Sequence, residues 1–339
     1  MTYPGETQGM WTLQEEFSCI EIGRSSQFRN LTLLPLVRRS VPLQELDYLL
    51  LEDGIAQGKV RVTELNASGS VPELRLENTA DLPVLLVDGE ELVGAKQNRV
   101  LNLTILAPAK QTTIIPVSCV EAGRWNMASP DLKTVDHVMY SGIRSERLSQ
   151  VTESMRSNGS HASDQGAVWR NIAAKALRLK ATSPTGAMSA MYERHANSVE
   201  EFSRAFICEK GQCGVAFAIG GCLLGLDLFD RPEVMGRFFQ KLVRSYALDA
   251  LDAAPKSDEP ARAETLTGFM ARIATAPNFS EQALGIGKDV RFNGPEISGA
   301  ALWAQERYVH ICAFAREAKS SVTSSFWTRI SRPSHHRMF

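Results

Sequence analysis

Residues 87–125 read VDGEELVGAKQNRVLNLTILAPAKQTTIIPVSCVEAGRW, a stretch in which polar groups crowd the ends of apolar strands. The apolar run from Leu82 to Val87 reads as a buried strand ending in the Asp88-Gly89 turn. A first cluster follows it: Glu90, Glu91, Gly94, Lys96, Gln97, Asn98 and Arg99. The run from Thr113 to Val117 reads as another strand and delivers a second cluster, Cys119, Glu121, Gly123, Arg124 and Trp125. Carboxylates, amides and arginines at strand ends suit a site that grips an oxygen-rich, anionic small molecule.

Toward the N-terminus, Phe17 to Leu36 alternates loosely and is expected to form two strands, SCIEIG and NLTLLPLV, joined by a polar turn. A helix is predicted next, with Ser40 as its cap and Pro42 in its first turn. Leu43, Leu46, Leu49, Leu50 and Ile55 would form its apolar face, and Gly58 would end it. Val60 to Leu65 and Glu73 to Glu77 alternate again as strands.

Toward the C-terminus, Glu153 to Gly166 is rich in Ser, Gly, Asn and charge, which predicts a loop or linker and a domain boundary. Ala167 to Ala181 has helical spacing, and Met188 to Phe206 reads as one or two further helices. VAFAIGG and CLLGLDLF are two strands around a Gly220-Gly221 turn. A long helix should then start with Asp230 as cap, Pro232 in the first turn and Glu233 completing a capping box. Val234, Phe238, Leu242, Tyr246 and Leu251 make its buried stripe, and Ala254 to Glu264 follows as an exposed loop. Val290 to Phe292, Gly299 to Ala304 and Tyr308 to Phe314 resemble closing strands.

The expected class is α+β: a β-rich N-terminal sandwich or roll, a helical middle, and a C-terminal sheet with a long packed helix. Residues 1–150 form the β-rich domain carrying both motifs, and 151–325 an α+β helical and hairpin domain packed closely on it. Residues 326–339 read as a disordered basic tail. At 339 residues, more than one core is expected.

A formal net charge of -1 removes the electrostatic case for a nucleic-acid partner. The start lacks a secretory pattern and no apolar run approaches the roughly 20 residues that span a bilayer, so a cytoplasmic, membrane-free protein is expected. Six cysteines without a regular framework fit reduced thiols. No metal set, P-loop or dinucleotide fingerprint is present, and the sequence names no cofactor.

The runs Gly89 to Arg99 and Ile115 to Trp125 resemble the domain family named for association with ADP-ribosylglycohydrolases and rhodanese-phosphatases. The resemblance continues through Gln165 to Trp169, Ser183 to Gly186 and Gly225 to Asp230, covering roughly Leu31 to Phe314. It implies a small nucleotide or ADP-ribose-type ligand, and functional association with ADP-ribosylglycohydrolase-type proteins; it carries no assigned reaction.

The residues permit matching chemistry. Arg99 and Arg124 can fork onto phosphate, Trp125 can stack on a base, and Glu90, Glu91 or Glu121 can hold a ribose hydroxyl or a metal, or act as acid or base. Lys96, Gln97, Asn98 and Cys119 complete the expected binding set. A bland account stands beside it: Glu121 and Arg124 pair with each other, while Gln97 and Asn98 satisfy backbone groups in a tight corner. Cys119 reads either as a buried thiol or a nucleophile, and Trp125 as core or as a stacking platform. The functional readings are a hydrolase or transferase on ADP-ribose-related substrates, and a non-catalytic nucleotide-binding adaptor.

Overall fold

Two adjacent glycines, Gly220 and Gly221, hold φ at 55° and 77°, the pair of left-handed positions that a tight hairpin turn demands. The hairpin they close is the centre of the larger of the protein's two lobes of sheet. The computed structural model describes residues 10–39, 45–253 and 259–316.

In chain order, α1 (Leu13–Ser18) leads into β1 (Ile20–Ile22), β2 (Ser26–Phe28) and β3 (Leu31–Arg38). The motif-bearing segment runs β4 (Leu49–Leu50), α2 (Leu51–Ala56), β5 (Val60–Glu64), β6 (Glu73–Asn78), β7 (Val84–Leu86) and β8 (Glu90–Gly94). It continues through β9 (Arg99–Leu101), β10 (Ile105–Ala107), β11 (Gln111–Cys119) and β12 (Leu132–Val138). Four helices follow: α3 (Ser141–Asn158), α4 (Gln165–Arg178), α5 (Ser189–Arg194) and α6 (Ala196–Ala205). The hairpin is β13 (Gln212–Ile219) and β14 (Cys222–Phe229), succeeded by α7 (Pro232–Asp252) and α8 (Ala263–Thr275). The described residues close with β15 (Asn278–Gln282), β16 (Lys288–Asn293), β17 (Ile297–Ala304) and β18 (Arg307–Ala315).

The fold is α+β. An antiparallel sheet takes the order β1-β3-β13-β14-β18-β17-β16-β15, with β2 also on β3. Leu31, Leu33, Val215 and Phe217 point to one face and pack on α7 and α6; Leu34, Leu36, Ala216 and Ala218 point to the other and pack on α1 and α8. Both faces are covered, so these strands read as continuous apolar runs. The second lobe is the six-stranded order β12-β8-β9-β11-β6-β5, with a small sheet β10-β7-β4 beside it. The alternating apolar residues of β5 and β6 share a core with Leu86, Leu92, Leu101 and Ile115.

Strands read from the sequence at 60–65, 73–77, 82–87 and 113–117, the glycine hairpin and the three closing strands are all present. Several other expectations are corrected. The helix predicted from Ser40 to Ile55 shrinks to α2: Leu49 and Leu50 instead pair in parallel with Val84 and Leu85, and Leu49 N donates to Pro83 O at 2.8 Å. Strand pairing outcompetes the helical leucine spacing there, and Ser40 and Pro42 lie outside the described residues.

The loop expected over Glu153–Gly166 is confined to 159–164, because Val151, Thr152 and Met155 stay buried and carry α3 on to Asn158. Gly159, at φ 69°, ends that helix. Asp230 does not cap α7; it accepts from Tyr48 Oη at 2.6 Å and Arg307 Nε at 2.7 Å, while Pro232 opens the helix as expected. Phe17 lies in α1, whose Thr12–Glu15 capping box the strand reading overlooked. Helix α8 and strand β15 were likewise not anticipated, and α8 takes up the end of the loop expected at Ala254–Glu264. Residues 254–258 and the tail expectation at 326–339 fall outside the described residues.

Candidate functional site

Strands β9 and β11 are neighbours, with Arg99 opposite Cys119, so pairing of the two strands brings the two polar clusters together. Val120 N donates to Asn98 O at 3.0 Å and continues the ladder past the strand end. Two further segments then close on the same place. Gln165, at the start of α4, clamps the Cys119 backbone with its side-chain amide, accepting from N at 2.7 Å and donating to O at 2.8 Å. Gly123 N donates to Thr185 O at 2.7 Å, and Glu121 bridges Ala187. A Cβ on Gly123 would stand 3.0 Å from the Thr185 backbone, so any side chain there would push the two segments slightly apart.

At the centre, Glu121 Oε2 accepts from Asn98 N at 3.1 Å and from Arg124 Nε at 2.8 Å. Burial opposes its charge, but the hydrogen bonds from Arg124, Thr185 and Asn98 hold Glu121 below the usual carboxylate range. Arg124 also donates to Ala95 O at 2.8 Å and to Asn98 Oδ1 at 2.9 Å. Gln97 Nε2 donates to Glu121 O at 3.0 Å. Arg124 and Glu121 thus pair as the bland account expected, and Asn98 and Gln97 serve the same corner.

Arg99 is different. Its side chain is fully buried, and Nη1 makes only a long 3.4 Å bond to Asn98 O. Nε and Nη2 have no hydrogen-bond partner among the described residues, and neither do Gln97 Oε1 and Glu64 Oε2 nearby in the fold. Burial pulls Arg99 below the ordinary arginine range, against the attraction of Cys119 and Glu64. Trp125 is 45% exposed and lies over Arg99 at 5.7 Å and over Lys96 at 5.3 Å, so it is not core. Lys96 Nζ donates to Ser68 O at 2.8 Å. Cys119 is buried, its thiol donating to Glu121 O at 3.4 Å, and burial pushes the thiol up, away from a nucleophile's range.

Glu90 and Glu91 stand elsewhere. As strand neighbours they face opposite sides of β8. Glu90 accepts from Val87 N at 3.0 Å and from Lys241 at 3.4 Å, and burial raises it in spite of that lysine. Glu91 meets His137 Nε2 at 2.7 Å, with the imidazole stacked on Tyr192 at a ring separation of 3.7 Å. The three carboxylates therefore serve three separate bonding networks. Gln165 and Thr185 stand in the sequence only within the resembling runs, with no site role, and Glu64 was missed; its usable signal was a charge at an inward position of an alternating strand.

The geometry defines an α+β protein whose dispersed polar motifs gather around a buried arginine under an exposed tryptophan. Residues 19–314 match the family described as the ARG and Rhodanese-Phosphatase-superfamily-associated Protein domain, and the chain belongs to that family. Its name links it to ADP-ribosylglycohydrolase and rhodanese-phosphatase associations. Comparisons with curated proteins and with solved structures find no match. No helix among the described residues is long and apolar enough to cross a membrane.

Proposed function

We propose that this protein binds an ADP-ribose-type nucleotide at the Arg99–Trp125 cluster and acts in NAD or ADP-ribose metabolism, in the cytoplasm. The observation that carries this reading is the guanidinium of Arg99, buried with two open donors beside an exposed indole. A cationic group and a stacking face side by side are what a nucleotide's phosphate and base require. The family's linkage to ADP-ribosylglycohydrolases supports the choice of nucleotide and suggests partners of that type.

Two modes of action differ in what they ask of Glu121. In a hydrolase or transferase, Glu121, kept ionised by its hydrogen bonds, activates the attacking group. In an adaptor, it only fixes Arg124 and the corner around Asn98. The dispersal of Glu90, Glu91 and Glu121 into separate networks favours the adaptor, because paired acid and base groups need a shared reacting atom.

The test is incubation of the protein with NAD, ADP-ribose and an ADP-ribosylated peptide, with and without divalent metal, followed by mass spectrometry. Glu121→Gln is run in parallel. The adaptor reading expects a ligand-dependent rise in melting temperature and unchanged masses. Turnover that vanishes in Glu121→Gln at constant melting temperature would establish the enzyme, and absence of any thermal response would remove the nucleotide.

A further inference from the structure

We infer that the Nε/Nη2 edge of Arg99 is a clamp for a phosphoryl group and that the Trp125 indole is its lid. The inference rests on the nucleotide reading only for what carries the phosphate.

Two other buried arginines set the comparison. Arg291 forks onto Asp289 at 2.7 and 2.7 Å, and Arg144 forks onto Asp227 at 3.0 and 2.6 Å. Arg99, as deeply buried, has no such fork: Glu64 Oε1 is 4.0 Å from Nη2, beyond hydrogen-bond reach, and already accepts from Lys96 N at 3.2 Å. An unmatched guanidinium edge in the interior is costly, and two phosphoryl oxygens match it in spacing and plane. Lys96 adds a second cation against the same indole, 5.3 Å from its ring centre, which favours a phosphate over a singly charged carboxylate.

The lid follows from how its loop is held. Gly123 is fixed to Thr185, Ala128 N donates to Ala95 O at 2.8 Å, and Arg124 is tied down from several sides. Between these anchors, the Trp125 side chain can swing without the backbone moving. Its seat is built by Gly69, at φ 78°: a Cβ there would stand 3.2 Å from Trp125 Cζ2, 3.3 Å from Glu64 Oε2 and 2.9 Å from Lys96 Cδ. Closed, the indole covers both cations. Swung outward, it exposes them and offers its face to a base.

The experiment is surface plasmon resonance with inorganic phosphate, ribose 5-phosphate, ADP-ribose and adenosine over wild type and four variants, with melting temperatures as the folding control. Arg99→Lys should weaken ribose 5-phosphate and ADP-ribose at least tenfold. Glu64→Gln removes a negative charge beside Arg99 while keeping an acceptor for Lys96, and should tighten both several-fold; it decides the clamp if Arg99→Lys fails to fold. Trp125→Ala and Gly69→Ala, which remove or displace the lid, should speed association of ribose 5-phosphate at least tenfold.

ADP-ribose binding that ignores both Arg99→Lys and Glu64→Gln overturns the clamp and leaves the nucleotide reading in place. Arg99-dependent binding of inorganic phosphate without binding of ADP-ribose keeps the clamp and overturns the nucleotide. Unchanged association rates in Trp125→Ala and Gly69→Ala overturn the lid. If neither wild type nor Trp125→Ala binds any of the four compounds, clamp and nucleotide reading fall together.

Discussion

Arg144 and Asp227, on α3 and β14, meet through two parallel hydrogen bonds of 3.0 and 2.6 Å with neither side chain more than 1% exposed. The same guanidinium donates from Nε to Asp88 Oδ2 at 2.9 Å, and Arg147 also reaches Asp88. His310 Nε2 adds a contact to Asp227 Oδ1 at 3.1 Å. One buried ion network therefore joins the turn after β7 to the glycine hairpin, and Asp227 of the Gly225–Asp230 run serves that network rather than the Arg99 cluster. Breaking a buried pair from one side costs about 3–5 kcal/mol. Asp227→Asn should lower the stability measured by urea unfolding by that order. A loss below about 1 kcal/mol would reduce the pair to an exposed-type contact.

Acid should act through the same aspartate. Burial opposes ionisation of Asp227, but Arg144 and His310 bring its pKa down to about 2. A carboxylate held below its unfolded value of about 3.9 gives stability that is present above that value and is lost as pH falls toward the folded one. Wild type should therefore lose stability between roughly pH 4 and 2, and Asp227→Asn should show a shallower slope across that window. Parallel slopes would contradict this.

His137 predicts the opposite dependence. Burial alone would lower it, yet Asp136 and Glu91, the charged groups facing it, raise it above the ordinary histidine range, and Tyr192 stacks on its ring. A raised histidine stabilises below its unfolded pKa of about 6.5, and that contribution is lost as pH climbs through the folded value. Melting temperatures taken from about pH 6 to 9 should fall more steeply for wild type than for His137→Gln.

Gly94 should not tolerate a side chain. Its φ is 125°, and a Cβ would fall 2.5 Å from Ser129 Oγ and 2.6 Å from Asp131 O. Gly94→Ala should cost about 1–3 kcal/mol from backbone strain, and more if the β8–β12 pairing parts. Chemical denaturation measures it; a neutral substitution would mean that the 129–132 segment yields easily.

Gln165 reaches the cluster from outside both motifs. Gln165→Ala removes the two bonds that hold the Cys119 backbone and leaves those groups unpaired, a cost of about 1–3 kcal/mol. Any ligand binding at Arg99 should weaken in parallel, since Arg99 lies opposite Cys119 in the ladder. Unaltered binding at reduced stability would make the Gln165 bonds purely structural.

The elements legible in the sequence are those whose local pattern and tertiary role agree: alternation in β5 and β6, the paired glycines, the apolar stripe of α7. Failures came where distant partners intervene. Leu49 and Leu50 keep helical spacing but join β7. Asp230 sits at a capping position but is taken by Tyr48 and Arg307, 182 and 77 residues away. The polar residues of 153–158 describe the wet side of a helix rather than a loop. At the candidate site, the sequence indicated the two clusters and the Glu121–Arg124 pair. Strand alternation already separates Glu90 from Glu91, but nothing local showed that His137 and Lys241 would take them, or that Glu64 would stand 4.0 Å from Arg99.

Strand β3 pairs with β13, Leu31 opposite Ile219 and Leu36 opposite Gly214. At a translation rate of about 5–20 residues per second, β3 has left the ribosome for roughly ten to forty seconds before its partner is made. During that interval, NLTLLPLV has its β1 and β2 partners but lacks β13, so its other edge is unpaired and open to association with other nascent chains. The early part of this protein should thus depend on holding chaperones in the cell, and its yield should rise when such chaperones are supplied.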